Sequence, residues 1–63
     1  MTMILKVDMI DGKYVICMDK EKKMFALEKK EIKAPAGLKK GWYVVIDDNS
    51  GEISFSEHKP SFK

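Results

Sequence analysis

Residues 5–19 decide the fold, and they read LKVDMIDGKYVICMD. Apolar and charged side chains alternate at the start of this stretch, which is the period of a strand with one buried face. The apolar positions are Leu5, Val7 and Met9, and the charged ones are Lys6 and Asp8. We therefore predict a first strand that turns its three apolar side chains toward a core.

The dipeptide Asp11-Gly12 ends this strand and predicts a two-residue hairpin turn of type I′, in which both central residues take positive φ. The returning strand, residues 13–19, is apolar on both faces. Tyr14, Ile16 and Met18 share one face, and Val15 and Cys17 share the other. Because strands buried on both faces lie inside a sheet, we predict that this second strand is central.

Three more segments predict strands. They are residues 23–28, 42–46 and 52–56. The fourth strand, Trp42-Tyr43-Val44-Val45-Ile46, is the most strongly β-forming run in the chain. In the third strand Phe25 and Leu27 share a face, and in the fifth Ile53 and Phe55 point inward. Polar turn clusters at residues 19–22 and 47–51 join the second strand to the third and the fourth to the fifth.

The connection before the fourth strand, residues 28–41, is polar and is broken by Pro35 and Gly37. It predicts a loop or a single helical turn, anchored in the core by Ile32 or Leu38. The whole pattern predicts an all-β fold, a five-stranded meander curled into a small SH3-like or OB-like barrel. Residues 1–56 form this single domain, and residues 57–63 form a polar C-terminal tail that frays.

Length and cysteine usage bound the class of protein. A chain of 63 residues builds one small core and gains from extra support such as a disulfide, a metal or a partner. The lone Cys17 excludes an internal disulfide and fits a reducing compartment. No signal peptide is recognisable, and no uncharged run approaches the roughly 18 residues of a membrane span. We expect a cytoplasmic protein without a membrane partner.

Two segments carry a family resemblance. Residues 7–16, VDMIDGKYVI, and residues 34–41, APAGLKKG, resemble a family of short bacterial proteins catalogued as domain of unknown function three-thousand-and-six. The chain departs from the family pattern at Ala34, where Leu usually precedes Pro, and at Lys40-Gly41-Trp42, where an acidic-Gly-Asp series is usual. The resemblance implies a small β-barrel-like fold and no catalytic residue. Some members accompany metallo-hydrolase domains, which implies an accessory module.

Few residues of this chain support catalysis or metal binding. Cys17 and His58 are the only cysteine and histidine, and a nucleophile–base pair needs them in contact. A free Cys inside an apolar strand is usually a small buried hydrophobe. One Cys and one His do not complete a zinc site, and residues 47–52 match hairpin turn chemistry better than a calcium loop. We predict a non-enzyme with no catalytic residue, no metal and no cofactor.

Single-stranded nucleic-acid binding is the alternative function. Residues 20–40 carry eight Lys and three Glu, and a basic edge beside aromatics is typical of single-strand binding. The candidate contacts are Lys29, Lys30, Lys33, Lys39 and Lys40 for phosphates, with Trp42 and Tyr43 for stacking. Against this function stand the absence of Arg, the interleaved glutamates and a pI near 8.7. Trp42 and Tyr43 are also natural core residues.

Protein–protein association is the function that the pattern favours. Strands with two apolar faces offer more apolar surface than one small sheet covers by itself, so a second layer is needed. The five methionines suit an adaptable surface, although they also fill cores. We expect a protein partner, either a second copy in a homodimer or an accessory protein. Pairing through an edge strand, residues 3–9 or 53–56, is one route to it.

Overall fold

The computed structural model describes residues 2–60 and forms a single antiparallel β-sheet with one helical turn. The elements are β1 (Thr2–Asp11), β2 (Tyr14–Met18), β3 (Met24–Glu28), α1 (Lys29–Ile32), β4 (Tyr43–Asp47) and β5 (Ile53–Ser56). The predicted all-β class, the five strands and the single helical turn are confirmed. Of the predicted tail, residues 57–60 follow β5, while residues 61–63 lie outside the described part, as does Met1.

The strand order across the sheet is β3-β2-β1-β4-β5. The first three strands form the predicted meander, and β2 lies inside the sheet as expected. The connection after α1 then crosses both β2 and β1, and β4 pairs with the side of β1 that faces away from β2. Within residues 2–60 no strand ladder joins β3 to β5, so the sheet is open and has those two strands as its edges. The predicted edge at residues 3–9 is therefore wrong, because β1 lies between β2 and β4 and pairs with both.

β1 serves both halves of the sheet. Residues 2–6 pair with β4, and residues 6–11 pair with β2. A β-bulge lies between Val7 and Met9, where the register with β2 shifts. Since a bulge adds one residue to its strand, it reverses which side chains face the core. Met9, predicted to point inward with Leu5 and Val7, is instead 50% exposed, and Ile10 packs against the core in its place.

The β1–β2 hairpin turn is shifted by one residue from the prediction. Asp11 pairs with Tyr14, so the two turn residues are Gly12 and Lys13 rather than Asp11 and Gly12. Gly12 has φ 57°, and Lys13 is not among the residues with positive φ. This is the pattern of a type II′ turn, which needs a glycine only at its first central position. Asp11 thus stays in the ladder, and the predicted type I′ turn is wrong.

The core lies under one face of the sheet, which we call the inner face. Its buried side chains are Leu5, Val7, Val15, Cys17, Val44 and, from α1, Ile32. Half-buried apolar side chains surround them, among them Phe25, Leu27, Leu38, Trp42, Ile53 and Phe55. The predicted anchors Ile32 and Leu38 thus both pack against the core. Trp42 also packs there, although it precedes β4 instead of beginning it.

Gly12 offers a direct test of the hairpin. A side chain at positive φ is strained, so Gly12→Ala should lower the free energy of unfolding by about 1–2 kcal/mol. Gly37→Ala is the matched control. An added Cβ meets no atom within 4 Å at either position, and of these two glycines Gly12 is the one with positive φ. Urea unfolding monitored by Trp42 fluorescence measures both variants. Equal stability of the two would contradict the turn described here.

Candidate functional site

The second face of the sheet, which we call the outer face, is also largely apolar. Its apolar and tyrosine side chains are Ile4, Met9, Tyr14, Ile16, Met18, Met24, Ala26, Tyr43 and Val45. None of them belongs to the core or packs against it as part of the buried cluster. Met9 and Met24 are about half exposed, and Tyr14 is 40% exposed. The alternation of β2 and β3 alone places most of these residues here, as the sequence predicts.

The cross-strand register arranges the outer face into three rows over β1, β2 and β3. The first row is Asp11, Tyr14 and Glu28, the second is Met9, Ile16 and Ala26, and the third is Lys6, Met18 and Met24. Directly opposite side chains on an antiparallel pair have Cβ atoms about 4.5–5.5 Å apart. The middle row is therefore a continuous apolar strip. On one side lies the acidic row, which carries Asp11 and Glu28, and on the other lies the row that we call the basic row, whose charge is that of Lys6.

A concavity that we call the lysine groove adjoins the third row. Its volume is about 460 Å³, and four lysines line it: Lys6, Lys20, Lys22 and Lys40. Asp8 and Asp19 are the acidic residues of its lining, so the lysines outnumber them by two. Met18 lines the groove and also belongs to the outer face. The groove and the outer face are thus one continuous surface.

Hydrogen bonds on two sides of the groove hold its lining in place. Asp19 accepts hydrogen bonds at Oδ1 from the backbone N–H groups of Glu21 and Lys23, at 2.9 and 2.8 Å, which fixes the turn that carries Lys20 and Lys22. On the opposite side the N–H of Gly41 donates to the carbonyl of Val7 at 3.0 Å. This bond ties the segment with Lys40 to the bulge of β1. The predicted polar turn at residues 19–22 is confirmed.

The seven residues predicted to contact nucleic acid or a partner lie in different places. Lys29 and Lys30 are on α1, Lys33 caps the end of α1 with φ 53°, and Lys39 and Lys40 are in the connection before β4. Tyr43 is on the outer face beside Lys6, whereas Trp42 packs against the core. Of these seven, Lys40 is the one that lines the lysine groove within residues 2–60.

The sequence reading missed three lysines of the groove, Lys6, Lys20 and Lys22. Lys6 lies inside β1, between Leu5 and Val7, and the other two belong to the turn after β2. Their convergence depends on the crossover that brings residues 40–41 next to β1. A lysine on the outward side of β1 was visible in the alternation, but its neighbours across the sheet were not.

Cys17 and His58 occupy different environments. Cys17 is fully buried under the inner face, as predicted, and burial raises the pKa of its thiol to about 11. His58 is exposed beyond β5, where its backbone N–H donates to Ser56 Oγ. Among residues 2–60 no three His, Cys, Asp or Glu side chains are grouped closely enough to hold a metal ion. In the same range, no helix has the length and apolar character needed to cross a membrane.

The turn between β4 and β5 is held by Asp47. Its Oδ1 accepts a hydrogen bond from the N–H of Asn49 at 3.0 Å, and this bond lowers the pKa of the Asp47 carboxyl. The N–H of Gly51 donates to the Asp47 carbonyl at 2.7 Å, with Gly51 at φ 76°. The predicted hairpin turn at residues 47–51 is therefore confirmed.

Thiol chemistry tests the environment of Cys17. A rise in pKa from 9.0 to about 11 reduces the reactive thiolate about a hundredfold at neutral pH, because each pKa unit is a factor of ten. We expect Ellman's reagent at pH 8 to modify the folded protein at least about a hundredfold more slowly than the urea-unfolded chain. Equal rates in the folded and unfolded states would contradict a buried thiol.

Comparison with known proteins adds no functional assignment. No family model, curated protein or solved structure matches this chain at a significant level. The resemblance to the short bacterial family remains a prediction. The geometry of the outer face and the lysine groove is therefore the basis of the function proposed below.

Proposed function

We propose that this chain is a non-enzymatic protein–protein interaction module and that its outer face is the binding surface. The observation that supports the proposal is the exposure of large apolar side chains on one face of the sheet. Met9, in the apolar middle row, is 50% exposed, and Met24, on the edge strand β3 in the adjoining third row, is 49% exposed. Contiguous exposed apolar surface on a small domain marks an interaction site far more often than scattered single residues do.

The two faces of the sheet differ in what covers them. α1 and the connection after it place Ile32, Leu38 and Trp42 against the inner face. The outer face contributes no member to that cluster, so its apolar side chains are not part of the core. Methionine suits such a surface, because an unbranched, polarisable side chain adapts to a partner's shape. The partner is either a second copy of the chain or an accessory protein.

The non-enzymatic part of the proposal is supported by the placement of the reactive groups. The one thiol is buried with a raised pKa, and the one imidazole is exposed beyond β5. Nucleophilic catalysis needs such groups within hydrogen-bond reach of each other and of a substrate. The lysine groove holds no such pair, because its polar side chains are lysines and two aspartates.

A selection from a random peptide library tests the binding surface. Met24→Lys places a charge on the outer face, whereas Met3→Lys is a matched control, because Met3 is 40% exposed and shares the inward side of β1 with Leu5. Burying a Met side chain contributes about 1.5–3 kcal/mol. We expect selected peptides to lose at least about tenfold in affinity for Met24→Lys and to keep their affinity for Met3→Lys.

Two results of this selection would contradict the proposal. One is the enrichment of peptides that bind both variants as tightly as the original chain. The other is a failure to enrich any peptide, together with a chain that stays monomeric at all concentrations. Far-UV circular dichroism of each variant confirms that the sheet is intact before binding is measured.

Single-stranded nucleic-acid binding is a second candidate, and the lysine groove supports it. Four ammonium groups around one concavity form an attractive site for phosphates. The aromatic side chains support it less, because Trp42, Phe25 and Phe55 pack against the core. Tyr14 is exposed, but it lies between Asp11 and Glu28 in the acidic row. Tyr43 is the predicted stacking residue that pairs opposite a groove lysine, Lys6, and its side chain is only partly exposed.

An oligothymidylate titration distinguishes the two candidates. For a protein-interaction module we expect affinity no tighter than about 100 μM at physiological salt, the weak end of non-specific binding. Fluorescence anisotropy of a labelled oligonucleotide measures it, with Lys40→Gln compared to its exposed neighbour Lys39→Gln, which lies outside the groove. Micromolar or tighter binding that weakens in Lys40→Gln alone would support nucleic acid instead.

A further inference from the structure

We infer that the occupant of the outer face is a second copy of this chain, related by a two-fold axis that places the acidic row of each copy against the basic row of the other. The inference rests on the proposed function, since it names the partner of the same surface. Two properties of the outer face support it: its apolar middle row and the opposite charges at its two ends.

The apolar middle supplies the contact area. Met9, Ile16 and Ala26 form one row across three strands, and Met18 and Met24 extend it toward the lysine groove. A two-fold axis along the middle row brings Met9, Ile16 and Ala26 against the same residues of the second copy, and it brings the third row, with Met18 and Met24, against the second copy's first row. Such isologous contacts are the commonest way in which small soluble proteins associate. A 63-residue chain also gains most from added burial, because its own core is small.

The charges determine the orientation of the second copy. Asp11 and Glu28 lie in the first row, and Lys6 lies in the third with the lysine groove beyond it. From Tyr14 to Met18 the rows are separated by about 13 Å, at a rise of about 3.3 Å per residue. Lys13 lies beside the acidic row, with its Nζ 5.7 Å from the Tyr14 ring centroid. The groove lining has two more lysines than aspartates, so the two ends of the outer face carry opposite net charge.

The two limiting orientations of a face-to-face two-fold dimer, with the axis perpendicular or parallel to the strands, differ in electrostatic energy. An axis perpendicular to β1 and β2 places acidic rows against basic rows. An axis parallel to those strands places Lys6 and the groove of one copy near the same groups of the other, and such like-charge contacts are unfavourable. The first arrangement is therefore preferred. Because exposed ion pairs contribute little energy, the charges select the orientation and the apolar rows supply the affinity.

Charge reversal with rescue tests this arrangement in sedimentation experiments. Lys6→Glu and Asp11→Lys each create two repulsive contacts in a dimer of identical variant chains, one at each end. We expect the original chain to dimerise with a dissociation constant of about 1–100 μM, typical of a small interface. Each single variant should weaken dimerisation by about tenfold or more. Both side chains are exposed, so the fold should be kept.

Rescue makes the test specific to the proposed orientation. The double variant Lys6→Glu/Asp11→Lys restores an attractive pair at both ends, so its dimer should recover most of the lost affinity. Mixing the two single variants should likewise form a heterodimer, because each contact then joins opposite charges. The controls are Lys39→Glu, outside the lysine groove, and Glu31→Lys, on α1, which change the net charge equally at exposed positions away from the three rows. They should dimerise as the original chain does.

The possible outcomes distinguish a failure of the dimer from a failure of the proposed interaction module. A chain that remains monomeric up to about 1 mM, a concentration that exposes even millimolar affinities, would overturn the second copy as occupant. Peptide binding sensitive to Met24→Lys would then still uphold the interaction module and point to a foreign partner. A dimer that is unaffected by the single reversals, or is not rescued by the double variant or the mixture, would overturn the orientation.

Discussion

The rest of the structure depends on the bulge in β1 and on the two backbone hydrogen bonds that fix it. The N–H of Val7 donates to the carbonyl of Trp42 at 2.8 Å, and the N–H of Gly41 donates to the carbonyl of Val7 at 3.0 Å. At this point β1 passes from its ladder with β4 to its ladder with β2. A buried backbone group without a partner is costly, so these bonds hold the end of the connection against β1. They also place Lys40 beside Lys6.

The bulge also divides the apolar side chains between stability and binding. Before it, Leu5 and Val7 are about 1% exposed and belong to the core. After it, the reversal of the alternation sends Ile10 inward and Met9 outward. The inner face is then closed by the chain's own α1 and connection, whereas the apolar surface of the outer face stays open. The proposed interaction surface is therefore a by-product of the same irregularity that allows one strand to serve two halves of a sheet.

Local patterns predicted a large part of this fold, and they failed at identifiable positions. The alternation in β2 and β3 grouped the apolar side chains of each strand correctly by face, because a regular strand has a period of two. Asp19, Asp47 and Gly51 identified their turns through side-chain and positive-φ chemistry. The hairpin was misplaced by one residue because Asp11-Gly12 satisfies one turn type and Gly12-Lys13 another. Of the lysine groove, the sequence reading selected Lys40 alone, since the other three lysines meet it only through tertiary contacts.

By itself the sequence determined the class of the fold, the number of strands, a loop or single helical turn before β4 anchored by Ile32 or Leu38, and the burial of Cys17. These follow from the period of apolar residues and from turn chemistry, which act over a few neighbouring positions. Only the tertiary structure decided that β4 pairs with β1, that Met9 faces outward, that Trp42 packs against the core, and that four lysines meet around one concavity. Each of these depends on which distant backbone groups pair, and no local pattern carries that information.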